Sequence, residues 1–509
     1  MTKLNLRALA AAAALLLAPH AIAQEAPSRP TTPEGWRALA VADLAATREV
    51  LQTQTPIPYD TENPRYPQWL ENGYAPALAR AESAEDQAGY FYAIASYVNG
   101  FGDPHINVSA TGELPAALWP GFVAASRNGG AVVVMRDETD AEAPPLGAQI
   151  LGCEGRPLAD LAAERVYPFA LNPRLAVDRR RVVTRLFIDR GIPGAPGPRA
   201  CRISVNGAER DITLRWRALP QPSEPYWTAY QAASLGPATE WGVSEPAPGV
   251  YWIGIPTFAS GEDTAPHLAT LLTDIQSQAA AMRQARAIVI DVRGNGGGNS
   301  QWADRIAAAI FGDAVASRAA RASSRRSAIE WRASEENAQY WEQWITDVGV
   351  REFGENSEPV NELRRVVAGL RANISADPPI WRQGPRRTAR SGGITTRRPR
   401  GAGPFPARVY MLSNGTCGSS CLNFADTVLF VPGVRLIGSD TGADGPYMEV
   451  RQVTLPSGLA RLTIPQKVWR GMARGALEAY AADVAYDGAW DDASVRAWTM
   501  ALIARETAQ

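Results

Sequence analysis

Hydrophobic residues recur at helical spacing in the first part of the chain and at strand spacing further on. Apolar side chains three and four residues apart predict helices over Trp36–Thr53 and Asp86–Tyr97. Between residues 116 and 219 the apolar runs are short and bounded by turn residues, which is typical of strands. These predicted strands are Val132–Met135, Ala148–Leu151, Cys201–Val205 and Asp211–Arg215. The pattern therefore predicts a helical amino-terminal domain over 24–115 and a β-rich domain over 116–219.

Strands and helices alternate in the last part of the chain, residues 220–509. The predicted strands are Val250–Ile255 and Ala287–Asp291, and the predicted helices are Ala265–Met282, Trp302–Phe311 and, at the carboxyl end, Asp492–Ala504. This alternation is typical of an α/β fold with a parallel sheet. Residues 317–405 interrupt it with helical pieces and the Arg/Gly/Pro-rich stretch Arg382–Arg400, so we interpret them as an insertion.

The first 23 residues have the pattern of a secretory signal peptide. Lys3 and Arg7 precede the apolar run Ala8–Ala18, and Ala21-Ile22-Ala23 is typical of a cleavage site. We find no later apolar run long enough for a transmembrane helix. We therefore expect a protein without a membrane span, located in a bacterial periplasm or secreted.

Charge and cysteine content exclude two classes of protein. Residues 1–23 contain two basic residues and no acid, so the rest of the chain carries 49 basic and 52 acidic residues. A slightly acidic protein is a poor partner for nucleic acid. The four cysteines, Cys153, Cys201, Cys417 and Cys421, are too few to build the fold and lack the spacing of a zinc site, although an oxidising compartment would allow them to pair.

A glycine-rich turn follows the predicted strand Ala287–Asp291. Its sequence, Arg293-Gly294-Asn295-Gly296-Gly297-Gly298, has no Lys-Ser/Thr ending of a phosphate loop. The third glycine of a dinucleotide fingerprint is also missing, because Asn299 stands in its place. A tight turn without further function is one interpretation. An oxyanion hole fits better, because it requires only backbone N–H donors.

A second turn, about 120 residues later, contains a serine between a strand and a helix. Ser419 lies between the predicted strand Arg408–Leu412 and the apolar-faced helix Leu422–Val431. The amino end of that helix would place amides and a partial positive charge beside the hydroxyl. Ser420 is an alternative that would serve as a simple N-cap. Cys417 and Cys421 flank Ser419, either as small packing residues or as a local disulfide.

Together, Asp-x-Arg-Gly-Asn-Gly-Gly-Gly at 291–298 and Asn-Gly-Thr-x-x-Ser at 414–419 resemble the motifs of the carboxyl-terminal processing (tail-specific) serine peptidases. That family includes the tricorn-protease core and the interphotoreceptor retinoid-binding modules. The resemblance covers 220–316 and 406–509. It implies an α/β fold with the crotonase/ClpP-like superhelical core. Residues 146–161 resemble the strand-turn-helix of a PDZ domain, although they lack the usual carboxylate loop.

The resemblance also assigns roles to residues. Ser419 stands where the family has its nucleophile, and the amides of Gly296, Gly297 and Ser420 stand where it has its oxyanion donors. The tail-specific branch uses a lysine base in a Gly-Lys-Gly segment, but Asp444 occupies that position here. We interpret Lys467, the only lysine after residue 23, as a surface residue at a strand end.

The tricorn-like branch instead uses a histidine in an Asp-x-His segment, and Asp103-Pro104-His105 fits that segment. Histidine is the side chain best suited to take a serine proton near neutral pH, so His105 is the predicted base. His267 is interpreted as a surface or capping residue. A third group should orient the base, and the resemblance favours Glu478, with Asp103 and Asp440 as competitors.

The sequence thus predicts an exported serine endopeptidase or carboxyl-terminal processing peptidase. It would act on peptides or unfolded proteins without a metal or cofactor. Two alternatives are a binding module for an apolar ligand or a peptide on the same fold, with catalysis lost, and an esterase. Substrate, cleavage preference and oligomeric state are not encoded in any motif that we find.

Overall fold

The structure is a computed structural model that describes residues 29–323, 328–384, 407–471 and 474–507. The predicted signal peptide, residues 1–23, lies outside these ranges, as does most of the stretch Arg382–Arg400. Of the helices described, none has the length and apolar content that crossing a lipid bilayer requires.

Helices form the amino-terminal part of the described chain. They are α1 (Pro33–Gln54), α2 (Arg65–Asn72), α3 (Tyr74–Ala81) and α4 (Gln87–Asn99), followed by the strand β1 (Asn107–Ala110). The side chains of Thr32 and Asp86 cap α1 and α4 by accepting hydrogen bonds from backbone N–H groups three residues on. Residues 88–98 of α4 are all buried, as expected of a helix that is apolar on every side. Both helices predicted in this region are confirmed.

Residues 118–218 contain an antiparallel sheet with two helices. Its elements are β2 (Leu118–Trp119), β3 (Phe122–Arg127), β4 (Gly130–Arg136), β5 (Gln149–Cys153), α5 (Leu158–Arg165), α6 (Ala176–Leu186), β6 (Ala200–Val205), β7 (Ala208–Thr213) and β8 (Arg217–Ala218). Five of the strands pair in the order β3-β4-β5-β6-β7. A disulfide joins Cys153 and Cys201 on the paired strands β5 and β6. The β-rich prediction is confirmed, and the likeness to a PDZ domain stays a prediction.

The remaining elements continue from residue 224. They are α7 (Glu224–Ser234), β9 (Gly242–Ala247), β10 (Val250–Gly254), α8 (Ala265–Arg283), β11 (Ala287–Asp291), α9 (Ser300–Phe311), α10 (Asp313–Ser323), β12 (Ala328–Arg332), α11 (Glu335–Trp344), α12 (Val350–Phe353), α13 (Glu358–Asn373), β13 (Ile380–Gln383), β14 (Arg408–Ser413), α14 (Ser420–Val428), β15 (Val434–Gly438), β16 (Tyr447–Thr454), β17 (Ala460–Arg470), β18 (Val484–Ala485) and α15 (Asp492–Thr507). A π-helical turn, Ile345–Gly349, joins α11 to α12.

The part of the chain from residue 242 onwards contains a six-stranded sheet in the order β18-β15-β14-β11-β10-β9. Its neighbouring strands are parallel except β9, which pairs antiparallel with β10. One face is covered by α8, α9, α10 and α14, and the opposite face by α15. Every residue of β11 is buried, because both faces of this central strand are covered. The α/β prediction is therefore confirmed.

A second sheet connects distant parts of the chain through the long strand β17. β17 pairs with β1 from the amino-terminal region, with β12 from the predicted insertion, and with β16. The predicted insertion therefore contributes strands as well as the two helical pieces predicted for it, with β13 at the outer edge beside β12. Pairing with β17 fixes the position of β1, which begins two residues after His105.

Candidate active site

The two turns singled out in the sequence meet at one edge of the six-stranded sheet. Strands β11 and β14 are parallel neighbours, with Asp291 opposite Leu412, so their carboxyl ends lie side by side. The N–H of Gly294 donates to Thr416 Oγ1 at 2.9 Å and lies 3.3 Å from Asn414 Oδ1. Residues that are about 120 positions apart in sequence thus form a single site, at the strand ends where ligands bind in open α/β sheets.

The Asp-x-Arg part of the first motif anchors the glycine turn through buried side-chain contacts. Arg293 and Asp291 are fully buried and form an ion pair at 2.7 Å. Arg293 also reaches Asp492, the first residue of α15, at 2.7 Å, and Trp252 Nε1 donates to Asp291 at 3.1 Å. Because these side chains face the core, the turn presents only glycine backbone to the site.

The glycines of this turn differ in what their amides do. Asn295 is fully buried, donates to Ile255 O at 3.0 Å and accepts the N–H of Gly297 at 3.0 Å. The Gly297 amide is therefore occupied. Within the described ranges the Gly296 amide has no hydrogen-bond partner. Of the predicted oxyanion donors in this turn, Gly296 is better placed than Gly297 to receive a ligand.

Gly297 is required for close approach rather than for donation. Its φ is +109°, and a Cβ built on it would lie 2.7 Å from Ser419 Cβ and 2.9 Å from Ser420 N. Carbon atoms cannot approach so closely, so a side chain here would push the two turns apart. Gly296, in contrast, has open space where a Cβ would stand.

Ser419 is the N-cap residue of α14 and has a positive φ of 49° with ψ at −122°. A non-glycine residue in this region is strained, and such strain clusters at functional sites. Its side chain forms no cap hydrogen bond, and its hydroxyl has no partner among the described residues. Ser420, by comparison, is 3% exposed, and its hydroxyl donates to Gly298 O and lies 3.1 Å from Ser300 Oγ. Of these two serines, Ser419 is therefore the one whose hydroxyl is free to react. The backbone N–H of Ser420, at the start of α14, is without a partner in the described chain.

A disulfide joins Cys417 and Cys421, with Ser419 between them. Both cysteines are fully buried. Of the two interpretations left open by the sequence, the structure has the local disulfide, and it braces the turn that carries the serine.

His105 lies in the loop between α4 and β1, beside a buried carboxylate. Its Nδ1 is 3.3 Å from Asp103 Oδ1, without the alignment of a good hydrogen bond. The His105 side chain is 13% exposed and that of Asp103 is fully buried. Burial alone would lower the pKa of His105, but the contact with Asp103 and the charges of Asp444 and Asp103 outweigh it, so the pKa lies above its ordinary value.

Asp444 binds the backbone of the serine, and its charge interacts with that of His105. It lies in the loop between β15 and β16, is 2% exposed, and accepts the backbone N–H of Ser419 at 2.6 Å. Burial raises the pKa of this carboxyl above its ordinary value, and the charges of His105 and Arg474 only partly offset that effect. In the sequence Asp444 was noted only as the residue standing in the place of a lysine, and that position was the one signal that could have identified it.

Arg474 is a further site residue that the sequence analysis missed. It is 2% exposed, and its Nε lies 3.6 Å from Asp426 Oδ1. Neither its Nε nor its Nη2 has a hydrogen-bond partner in the described part of the chain. Burial would lower the pKa of Arg474, but the charges of Asp426 and Asp444 raise it above its ordinary value. No motif distinguishes this arginine from the many others of the chain.

The candidates for the third catalytic residue lie in different places. Glu478 is exposed, and the described residues show no hydrogen bond between it and His105. Asp440 accepts the N–H of Ala482 at 2.9 Å. Asp103 is the candidate that contacts His105 directly. The role assigned to Glu478 stays a prediction.

Lys467 and His267, the other two candidates for a base, are held by packing contacts. The interpretation of Lys467 as a surface residue at a strand end is wrong: it lies within β17, is 1% exposed, pairs with Glu449 at 2.9 Å and sits over the Trp331 ring at 4.8 Å. A lysine is buried this way only when an acid and aromatic rings replace water. His267 is exposed and stacks on Trp241, with ring centroids 5.6 Å apart.

Residues 250–472 match peptidase family S41. This segment begins at β10 and includes both turns of the site. The chain carries a peptidase family S41 core. It is therefore a serine-type peptidase, and the resemblance seen in the two motifs is confirmed.

The S41 core and the parts around it have the fold of known structures. The chain is similar to mature CPAF, with 15% identity over 88% of this chain and 92% of that one and a TM-score of 0.57. Mature CPAF complexed with lactacystin gives 16% identity over 88% and 94%, with the same TM-score of 0.57. The photosystem II D1 C-terminal processing protease is 13% identical over 88% and 93%, with a TM-score of 0.29. No curated protein sequence matches the chain.

Proposed function

We propose that this S41 peptidase is exported and cleaves peptide bonds as an endopeptidase or carboxyl-terminal processing peptidase, with Ser419 as nucleophile and His105 as base. The observation that carries the proposal is the free hydroxyl of Ser419 on a strained turn beside the unoccupied amides of Gly296 and Ser420. Strain of this kind, together with open backbone donors, is what an acyl-transfer site requires.

In the first step the Ser419 Oγ attacks the carbonyl carbon of the scissile peptide, and its proton passes to His105. Nδ1 of His105 faces Asp103, so Nε2 is the nitrogen that takes the proton. The carbonyl electron pair moves to oxygen and forms the oxyanion. When the C–N bond breaks, His105 returns the proton to the leaving amine, and a water molecule then hydrolyses the acyl ester by the same route.

The oxyanion would be held by the amides of Ser420 and Gly296. The Ser420 amide lies at the start of α14, where the helix dipole adds partial positive charge. Each such donor typically contributes about 100-fold or more to the rate. Gly297 supports the pair by letting the two turns approach.

Export is proposed from residues 1–23 and fits the cysteine chemistry. The described chain has two disulfides and no free cysteine. Disulfides persist in oxidising compartments such as the periplasm. We propose peptides and unfolded or tail-exposed chains as substrates, because the PDZ-like unit and the insertion would limit access by folded proteins.

Peptide-library hydrolysis by the chain from residue 24, read by mass spectrometry, tests the proposal. Cleavage should be lost in both Ser419→Ala and His105→Ala. Two matched controls, Ser277→Ala and His267→Ala, change exposed residues and should leave cleavage intact.

Each other result overturns part of the proposal. Full cleavage by Ser419→Ala would overturn the nucleophile, and full cleavage by His105→Ala would overturn the base. Hydrolysis of small esters without peptide cleavage would favour an esterase. Absence of any hydrolysis, with an apolar ligand co-purifying, would favour a binding module.

A further inference from the structure

No motif assigns a role to Asp444, although it lies within the site. We propose that Asp444 is a positioning residue: its carboxylate fixes the backbone of Ser419 and supplies the second negative charge against which His105 becomes protonated. This inference rests on the proposed function, since it concerns how the same serine and histidine are held. It is carried by the 2.6 Å hydrogen bond and by the burial of three charged side chains, Asp444, Asp103 and Arg474, each at most 3% exposed.

The first part of the role is mechanical. A carboxylate that accepts a backbone N–H forms a charge-assisted hydrogen bond, which is stronger than a neutral one. Here the bond holds the N–H of a residue whose φ is +49°, a conformation that is costly for serine. Asp444 is held in turn by its own backbone, because its carbonyl accepts the N–H of Leu477 at 2.8 Å. Asp444 thereby stabilises the strained turn that presents the hydroxyl.

The second part is electrostatic. The charges of Asp103, Asp444 and Arg474 all act on His105, and Asp103 is the one in direct contact with it, 3.3 Å from Nδ1. Tyr66 also borders this cluster, with its hydroxyl 3.4 Å from Asp103 Oδ2. When His105 takes the serine proton, a cation forms in a site with little water. Two carboxylates favour that cation, and one guanidinium opposes it.

Arg474 offsets part of the cost of burying Asp444. A buried carboxylate without a partner would tend to bind a proton and lose its charge. Arg474 supplies a fixed positive charge that interacts with both Asp444 and Asp426. The chain thus has a carboxylate with a cationic partner at the position where the tail-specific branch has its lysine.

Two substitutions separate the mechanical from the electrostatic role. Asp444→Asn keeps an oxygen that can accept the Ser419 N–H but removes the charge, whereas Asp444→Ala removes both. Asp483→Asn is a matched control, because the Asp483 carboxylate also accepts a backbone N–H. Its donor is Leu436 in β15 of the six-stranded sheet, at 2.8 Å. Circular dichroism and thermal unfolding would show that each variant folds.

The histidine titration gives a readout that does not depend on activity. His105 and His267 are the only histidines after residue 23, so NMR of histidine-labelled protein has two signals, and His267→Gln assigns them. We expect Asp444→Asn to lower the pKa of His105, with the His267 signal as the reference within each spectrum. Asp483→Asn should leave the His105 titration at its parental position.

The pH dependence of kcat/KM gives the second readout. The base acts when His105 is neutral, so activity rises with pH through its pKa, and Asp444→Asn should move this limb to lower pH. We expect kcat to fall about 10-fold in Asp444→Asn, because protonated His105 would lose stabilisation equivalent to roughly one pK unit. In Asp444→Ala the hydrogen bond to the Ser419 N–H is lost as well, so we expect kcat to fall about 100-fold.

The inference is overturned if Asp444→Asn has the parental His105 titration, pH profile and kcat. If the parent hydrolyses nothing, the proposed function fails, but the NMR titration still decides whether Asp444 acts on His105. A third outcome is that the His105 titration shifts in Asp444→Asn, but kcat in every Asp444 variant equals that of Asp483→Asn. In that case the charge of Asp444 acts on His105, but the positioning role is wrong.

Discussion

The N–H of Gly294 donates to the hydroxyl of Thr416 at 2.9 Å and so joins the two turns of the active site. Thr416 in turn donates to Asn414 Oδ1 at 2.6 Å. This short chain of hydrogen bonds sets the distance between the proposed oxyanion donors and the nucleophile. It gives the Thr416 hydroxyl, three residues ahead of Ser419, a structural role in the site.

Thr416→Ala should therefore impair catalysis more than folding. We expect kcat to fall about 10- to 100-fold, because the turns are no longer held in register. The free energy of unfolding should fall by about 1 kcal/mol for the lost hydrogen bonds. Steady-state kinetics and urea unfolding measure the two effects. Thr416→Ser keeps the hydroxyl and serves as the control; equal loss in both variants would contradict the explanation.

Gly297→Ala and Gly296→Ala should differ sharply although they are neighbours. A Cβ at Gly297 meets Ser419 Cβ at 2.7 Å on a backbone with positive φ, whereas one at Gly296 meets nothing within 4 Å. We expect Gly297→Ala to lower kcat/KM at least about 100-fold, because the oxyanion donors move away from the serine. Gly296→Ala keeps its N–H and should stay within about threefold of the parent. Comparable activity in the two variants would contradict the geometry.

Asp103 should set the acidic limb of the pH profile. Burial opposes protonation of His105, but the contact with Asp103 and the charges of Asp444 and Asp103 raise its pKa, so the limb should lie above the ordinary histidine value of about 6.5. Asp103→Asn should move the limb to lower pH and reduce kcat about 100-fold.

Glu478→Gln is the comparison for that experiment. Because the Glu478 side chain is exposed and forms no described contact with His105, we expect a smaller loss than in Asp103→Asn. A larger loss in Glu478→Gln, with an unmoved limb in Asp103→Asn, would assign the third catalytic role to Glu478.

The Cys417–Cys421 disulfide should matter for activity and the Cys153–Cys201 disulfide only for stability. The cysteines of the first disulfide are four residues apart in sequence, and those of the second are 48 residues apart. Loop entropy predicts stabilities of about 2 and about 4 kcal/mol, respectively. Cys417→Ser/Cys421→Ser should lower kcat, since the serine turn loses its brace. Cys153→Ser/Cys201→Ser, the control pair, should lower the unfolding temperature and retain kcat in the folded fraction.

Local patterns sufficed to predict the main strands and helices around the site, within residues 220–509. The strand at Ala287–Asp291 was predicted with its observed bounds, and the helix at Ala265–Met282 is one residue short of the observed α8. These segments are long or uniformly apolar, so short-range periodicity determines them. The two turns were recognisable because glycine and serine at fixed spacing are local features of the sequence.

Contacts between distant segments decided the rest. The strand pairing that brings β1, β12 and β16 onto β17 has no local signature, because any exposed strand edge can accept a partner. Lys467 was misjudged for this reason: its burial depends on Trp331 and Glu449, which lie on neighbouring strands.

The sequence by itself determined the α/β class, and it was enough to single out Ser419 and the glycine turn beside it as candidate site residues. Only the tertiary structure decided that the Gly297 amide is occupied by Asn295 and that Asp444 binds the Ser419 amide. The physical reason is the same in each case. A residue type and its spacing are encoded locally, but the hydrogen-bond partner and the charge that a buried group meets depend on which segments pack around it.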